Sequence, residues 1–186
     1  MDKSKKDETK KMKGGNIYMR NVLARELTIS FNSVGENIEE VIRNKLSQLY
    51  ESKCIEDGYI KKNSIRLLTF SHGTVDAENI KFNVVFECSI CKPVEGMRIK
   101  CKAVQITKAG IRALYETKTD EPSPVNIFIA REHHLNNSNL NNVEENDLID
   151  IKVIGIRYEI NDTNIAVLGE LKGIVEKVGK EKIKEI

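Results

Sequence analysis

Hydrophobic positions along this chain follow two rhythms. Leu23, Leu27, Ile29 and Phe31 recur at multiples of two, which predicts a strand with one buried face in a structured region that begins near Ile17. Ile38, Val41, Ile42, Leu46 and Leu49 then recur at intervals of three and four. That spacing lays one apolar stripe along a helix ending near Tyr50, with Lys45 at the edge of the stripe. Just ahead of it, Ser33-Val34-Gly35-Glu36 has the form of a capping box. The period of two returns over residues 64–70 and again at Ile80, Phe82, Val84, Phe86, Cys88 and Ile90, with Ser71-His72-Gly73-Thr74 as the turn between these strands. Lys92-Pro93 interrupts the pattern, because proline has no N–H to give to a ladder. Beyond it, five short strands are predicted at about 97–106, 111–116, 125–130, 149–158 and 164–170, with an Asn-rich polar loop over 135–145 between the third and fourth.

The predicted architecture is an α+β N-terminal domain (strand, helix, strands) over residues 16–93, followed by an all-β five-stranded OB barrel over 94–171. Residues 1–15 are Lys-rich, lack periodicity and end in Gly14-Gly15, as a disordered extension does. Residues 172–186 mix Lys and Glu with Ile174, Val175, Val178 and Ile183, a C-terminal tail expected to form a short helix or to fray. A net charge of +2 conceals segregation: residues 97–134 carry seven Lys and Arg against four Asp and Glu, whereas 135–150 carry four acids and no base. Positive charge thus gathers on the first half of the barrel, where a phosphate backbone would gain most.

Several functions are excluded by what the chain lacks. No apolar run approaches the roughly 18 residues a membrane span needs, and the Lys-rich start has no signal-peptide core, so an intracellular protein without a membrane partner is expected. Cys88-Ser89-Ile90-Cys91 is formally a C-x-x-C, yet it lies in an alternating strand that sends positions three apart to opposite faces. No second pair completes a zinc site, so Cys54, Cys88, Cys91 and Cys101 are expected to be buried thiols, with no metal and no cofactor. His133-His134 beside Glu132 invites acid–base chemistry, but adjacent residues at a strand end point apart, and no nucleophile stands at a recognisable spacing. The chain is expected to be non-catalytic.

The candidate chemistry is cationic. Arg98, Lys100 and Lys102 share one face of a strand, and Lys108, Arg112 and Arg131 fall on adjoining strands or turns. Together they form a phosphate track, or else an ordinary solvated exterior. Phe128 lies between Ile127 and Ile129 and faces either RNA or the core. His133, His134, Arg157 and Tyr158 are further candidates for the same surface. With aromatics at 5% and no Trp, base stacking must rest on very few rings.

The order of these pieces resembles a known family. Lys92-Pro93-Val94-Glu95-Gly96, Val104-Gln105-Ile106-Thr107-Lys108-Ala109-Gly110, Phe128-Ile129-Ala130-Arg131, Val153-Ile154-Gly155-Ile156-Arg157 and Val167-Leu168-Gly169-Glu170-Leu171 follow an α+β unit, as in the stalk subunit of multi-subunit DNA-directed RNA polymerases. That family comprises the seventh subunit of eukaryotic RNA polymerase II and its archaeal counterpart, and the flavour here is closest to versions from large DNA viruses. The resemblance covers roughly residues 17–171. It implies a non-catalytic subunit that docks on the polymerase core large subunits through its N-terminal domain, at the turn around His72 and Gly73. It also implies pairing with a fourth-subunit-like partner and contact with nascent single-stranded RNA through the barrel. The implied location is the nucleus for a cellular protein, or host cytoplasm and virion for a viral one. Two departures are visible: the turn at His72-Gly73 is shorter than the family's tip loop, and Arg112 stands where RNA-binding barrels often place a stacking aromatic. The alternative reading is an independent OB-fold RNA-binding module in translation or RNA decay.

Overall fold

The computed structural model describes residues 17–35, 37–117, 121–134 and 138–177. Strands and helices are numbered in chain order. The long alternation around Phe82 becomes β6 (Asn79–Cys91), the spine of a six-stranded sheet. One edge of β6 pairs antiparallel along its whole length with β1 (Tyr18–Ser30), Leu27 opposite Phe82 and Ile29 opposite Ile80. Its other edge is tiled in succession by β5 (Thr74–Asp76), β4 (Arg66–Phe70) and β3 (Gly58–Ile60), and β3 is hairpinned to β2 (Cys54–Ile55). The even positions of β6 all bury. Phe82, Val84 and Phe86 share a core with Ile42 and Leu46 of α1 (Ile38–Tyr50), and Tyr50 stacks on Phe86 at 5.9 Å between ring centres. Each such side chain contributes about 1.5–3 kcal/mol by leaving water.

The helix has the predicted bounds, but its surroundings differ from expectation. Asn37, not Ser33, occupies the N-cap; Ser33 closes a 3-10 turn over Phe31–Ser33, and Glu36 lies outside the described residues. Phe31 therefore leaves the strand and is exposed. Leu49 is exposed as well, because Tyr50 makes the last-turn contact with the sheet. The turn expected at His72-Gly73 is instead a break between two strands on the same edge of β6. The chain reverses at residues 76–79, where Ala77 takes φ 52°. Gly73 is nonetheless constrained, since a Cβ there would stand 2.9 Å from the Phe82 ring and closer still to Ile80. The short strands β2, β3 and β5 carry too few residues to show a period.

After β6 the chain passes through residues 92–97 into a closed barrel of β7 (Arg98–Ile106), β8 (Gly110–Tyr115), β9 (Val125–Ala130), β10 (Leu148–Arg157) and β11 (Ile165–Glu176). Around the barrel the order is β7, β8, β9, β11, β10 and back to β7, antiparallel everywhere except the parallel pair β9–β11. Closure leaves no barrel edge unpaired. Ile99, Cys101, Ile111, Ile127, Ile129 and Ile151 fill the interior. β11 runs five residues past the predicted limit of 171, with Ile174 opposite Ile149, so residues 172–176 are strand and not helix. The start of β10 needs a partner, and that demand overrides the local charge pattern. The predicted extension over 1–15 and the tail beyond 177 lie outside the described residues.

The two sheets share a core. Ile17, Cys54, Tyr59 and Cys91 from the first sheet pack into the cluster that fills the barrel. Cys54 donates its N–H to Asp162 O at 2.8 Å and accepts at its own carbonyl from Asn161 N at 2.8 Å, tying β2 to the β10–β11 loop. All four cysteines are buried and unlinked, and Cys88 and Cys91 do face opposite ways, one toward the helix and the other toward the barrel.

Candidate functional site

Alternation along the barrel strands sorts the candidate residues. On β7, Ile99, Cys101 and Ala103 point inward, so Arg98, Lys100 and Lys102 do share the outer face. That face is not purely cationic. Asp150 of β10 lies opposite Lys100 and accepts a hydrogen bond from the Arg98 guanidinium, and Lys152 lies opposite Glu170, which Lys172 bonds at 2.7 Å. The Lys172 ammonium holds the Glu170 carboxyl below its ordinary value. Opposite charges at cross-strand positions give this side the look of a solvated, ion-paired exterior.

A different set converges two strands away. Cross-strand register puts Arg112 (β8), Phe128 (β9), Leu168 (β11) and Gly155 (β10) in one row, and Asn126, Ala166 and Arg157 in the next. Small residues at Gly155 and Ala166 leave the outer surface concave there, and the resulting groove has a volume of about 450 Å³. Its floor is apolar. Arg112 and Arg157 stand at opposite corners of the groove, on β8 and β10. Phe128 is 42% exposed, which settles its orientation outward. Its ring rests over Gly110, where an added Cβ would meet Phe128 Cζ at 2.9 Å. Arg112 Nε donates to Asn126 Oδ1 at 3.2 Å, fixing the guanidinium over the groove. Arg157 is held only loosely, by an exposed pair with Glu159 at 3.6 Å.

The remaining candidates are placed elsewhere. Lys108 is exposed in the β7–β8 turn and His133 is exposed in the 3-10 turn after β9. Arg131 braces that region, donating from Nε to Thr107 O at 3.2 Å and from a terminal nitrogen to Asn141 Oδ1 at 3.0 Å. His134, expected on the RNA face or its loop, is buried. Its Nε2 accepts from Leu171 N at 2.8 Å and its Nδ1 lies 2.8 Å from Ala130 O, so the ring closes the barrel and offers nothing outward. Tyr158 reaches across to the first sheet, donating to Glu56 O at 3.2 Å, and burial raises its phenol above the ordinary value. His72 and Gly73 are exposed on the edge of the first sheet, away from the barrel groove. The groove's Asn126, Ala166 and Leu168 were not among the candidate residues; Asn126 lies two residues from Phe128 on the same strand, and the β9–β11 pairing brings Ala166 and Leu168 beside them.

Among the described residues no group of three or more His, Cys, Asp or Glu is placed to hold a metal ion, and no helix is long and apolar enough to cross a membrane. No family model matches the chain. A protein of Acanthamoeba polyphaga mimivirus named "Putative DNA-directed RNA polymerase subunit" is 23% identical to it over 165 residues, covering 83% of this chain and 82% of that one.

Proposed function

We propose that the chain is a non-catalytic subunit of a DNA-directed RNA polymerase, with a barrel of OB type that holds single-stranded RNA across the groove between Arg112, Phe128 and Arg157. The similarity to the mimiviral protein, spread over most of both chains, supports the polymerase assignment. The groove carries the RNA reading: an exposed aromatic on an apolar floor between two guanidinium groups suits a base stacked between phosphates. In this reading the subunit sits on the stalk, and the sheet with its helix docks on the core large subunits beside a fourth-subunit-like partner. Arg98, Lys100, Lys102 and Lys108 add long-range attraction for the strand.

Affinity purification of the tagged full-length chain is expected to bring polymerase large subunits with it; their absence would point to a free-standing RNA-binding module. Gel shifts on single-stranded RNA address the groove separately. Arg112→Glu with Arg157→Glu should weaken binding at low salt and flatten the salt slope by roughly two, about one per lost phosphate contact. Reversing Arg98, Lys100 and Lys102 should have the smaller effect, because Arg98 is already engaged by Asp150. Equal losses from both sets would remove the groove from its central place.

A further inference from the structure

We infer that two copies of this chain pair edge to edge through β1, in an antiparallel register centred on Leu23. The inference goes beyond the polymerase reading and does not rest on it. β1 pairs with β6 along Tyr18–Ser30, and among the described residues no strand pairs with its other edge. A free edge of that length invites another strand. Neither proline nor bulge guards it: the register on β6 runs unbroken, whereas the pairings of β4 with β6, β7 with β8 and β10 with β11 each slip. On the far side of β6, Asn83 O and Ser89 O accept from Ser71 N and Lys61 N, so it is the even residues of β6 that bond β1, and they stand opposite the odd residues of β1. The N–H and C=O groups of Arg20, Val22, Ala24, Glu26 and Thr28 therefore point to the open edge. There the Ala24 carbonyl accepts from the Arg25 side chain at 3.0 Å, an exposed contact that a strand N–H would replace.

The edge carries charges that complement a second copy of itself. With a two-fold axis at Leu23, Arg20 of one copy lies opposite Glu26 of the other, and the same pair recurs across the axis. Side chains so placed stand about 4.5–5.5 Å apart at Cβ. The same register sets Val22 against Ala24 on that face of the sheet, and on the opposite face it sets Met19 against Leu27 and Leu23 against its own copy. Met19 and Val22 are 57% and 60% exposed in the single chain, so pairing withdraws apolar surface from water. Arg25, bonded to Asp57 at 2.9 Å, meets the neutral Asn21. Moving the axis by one residue either way sets Arg20 against Ala24 or Thr28 and separates it from Glu26. Charge therefore selects the register.

The test is analytical sedimentation of the intact chain over a wide concentration range. A species of twice the 21.1 kDa mass of one chain is expected to grow in as concentration rises. Arg20→Glu sets like charges opposite one another on both sides of the axis and should return the chain to the monomer, whereas Arg20→Glu combined with Glu26→Arg restores opposite charges and should restore the dimer. Melting temperatures check that each variant folds. Leu23→Cys reads the register directly, because a non-hydrogen-bonded antiparallel pair brings its Cα atoms to about 4.5 Å, within reach of a disulfide. Mild oxidation should link two copies of that variant and leave the wild-type chain, whose four thiols are buried, unlinked. A chain that stays monomeric at every concentration overturns the pairing and leaves the edge to a strand of another protein. A dimer that survives Arg20→Glu, or that the double exchange fails to restore, overturns it too, as does a Leu23→Cys chain that does not cross-link.

Discussion

His134 shows how a single side chain is committed by its surroundings. Its Nε2 accepts from Leu171 N–H, so the proton must sit on Nδ1, where it is donated to Ala130 O. The imidazole thus ties the turn after β9 to the neighbouring strand β11. His134→Ala would leave the buried Leu171 amide without its acceptor and is expected to lower stability by about 1–3 kcal/mol, measured by urea denaturation. Nitrogen chemical shifts should report the Nδ1–H tautomer; the opposite tautomer would contradict this geometry. The four thiols give a second residue-scale expectation. Burial pushes Cys54 and Cys88 up to about 11 and Cys91 and Cys101 up to about 12, from an ordinary value of 9.0. A raised thiol keeps its proton longer folded than unfolded, so its stabilising effect is complete below pH 9 and is lost as pH climbs toward 11 and 12. Melting temperature should therefore fall across that alkaline window, and iodoacetamide should label the native chain slowly at about pH 8. Rapid labelling of all four would show that the thiols are not held inside.

At the scale of elements, the most demanding contact is the start of β8. Gly110 lies so close to β9 that a Cβ would fall far inside contact distance of Ile129 O and press on the Phe128 ring. Gly110→Ala is expected to cost about 1–3 kcal/mol, typical of overpacking, and to weaken RNA binding more than its stability loss explains, because the ring is displaced from the groove. Thermal melts paired with gel shifts decide this; a neutral variant would mean that β8 and β9 separate freely. Gly110 was legible in the sequence as the end of the Val104–Gly110 run, between the strands expected at about 97–106 and 111–116. Its role as the seat of Phe128 was not, because that depends on the β8–β9 register.

At the scale of the whole molecule, the sheet and the barrel are not independent. Cys54, Tyr59 and Cys91 complete the barrel's core, and Tyr158 and Asp162 tie back to the β2–β3 hairpin. A barrel fragment beginning at residue 94 would expose that apolar contact to water. The intact chain is accordingly expected to unfold in one cooperative transition, with circular dichroism and tyrosine fluorescence coincident. Two resolved transitions would show that the shared contacts are too weak to couple the parts. For the same reason, variants intended to separate polymerase docking from RNA contact belong in the full-length chain.

The periodicities by themselves determined where most of the longer elements lie. The alternation from Ile80 to Ile90, the stripe through Ile42 and Leu46, and the barrel strands are written locally, because burial on one face imposes a period of two or 3.6. Composition likewise determined that the cysteines would be buried and that cations would gather on the barrel. Tertiary structure decided everything that depends on which strands become neighbours. It brought Asn126, Phe128 and Leu168 into one groove, turned His134 inward, set Asp150 against Arg98, and extended β11 through residue 176. No local pattern encodes these outcomes, since the parallel pairing of β9 with β11 and the closure of β10 on β7 join residues tens of positions apart. Pairing across such distances is fixed by the energy of the whole barrel, where each register must satisfy both edges of every strand at once.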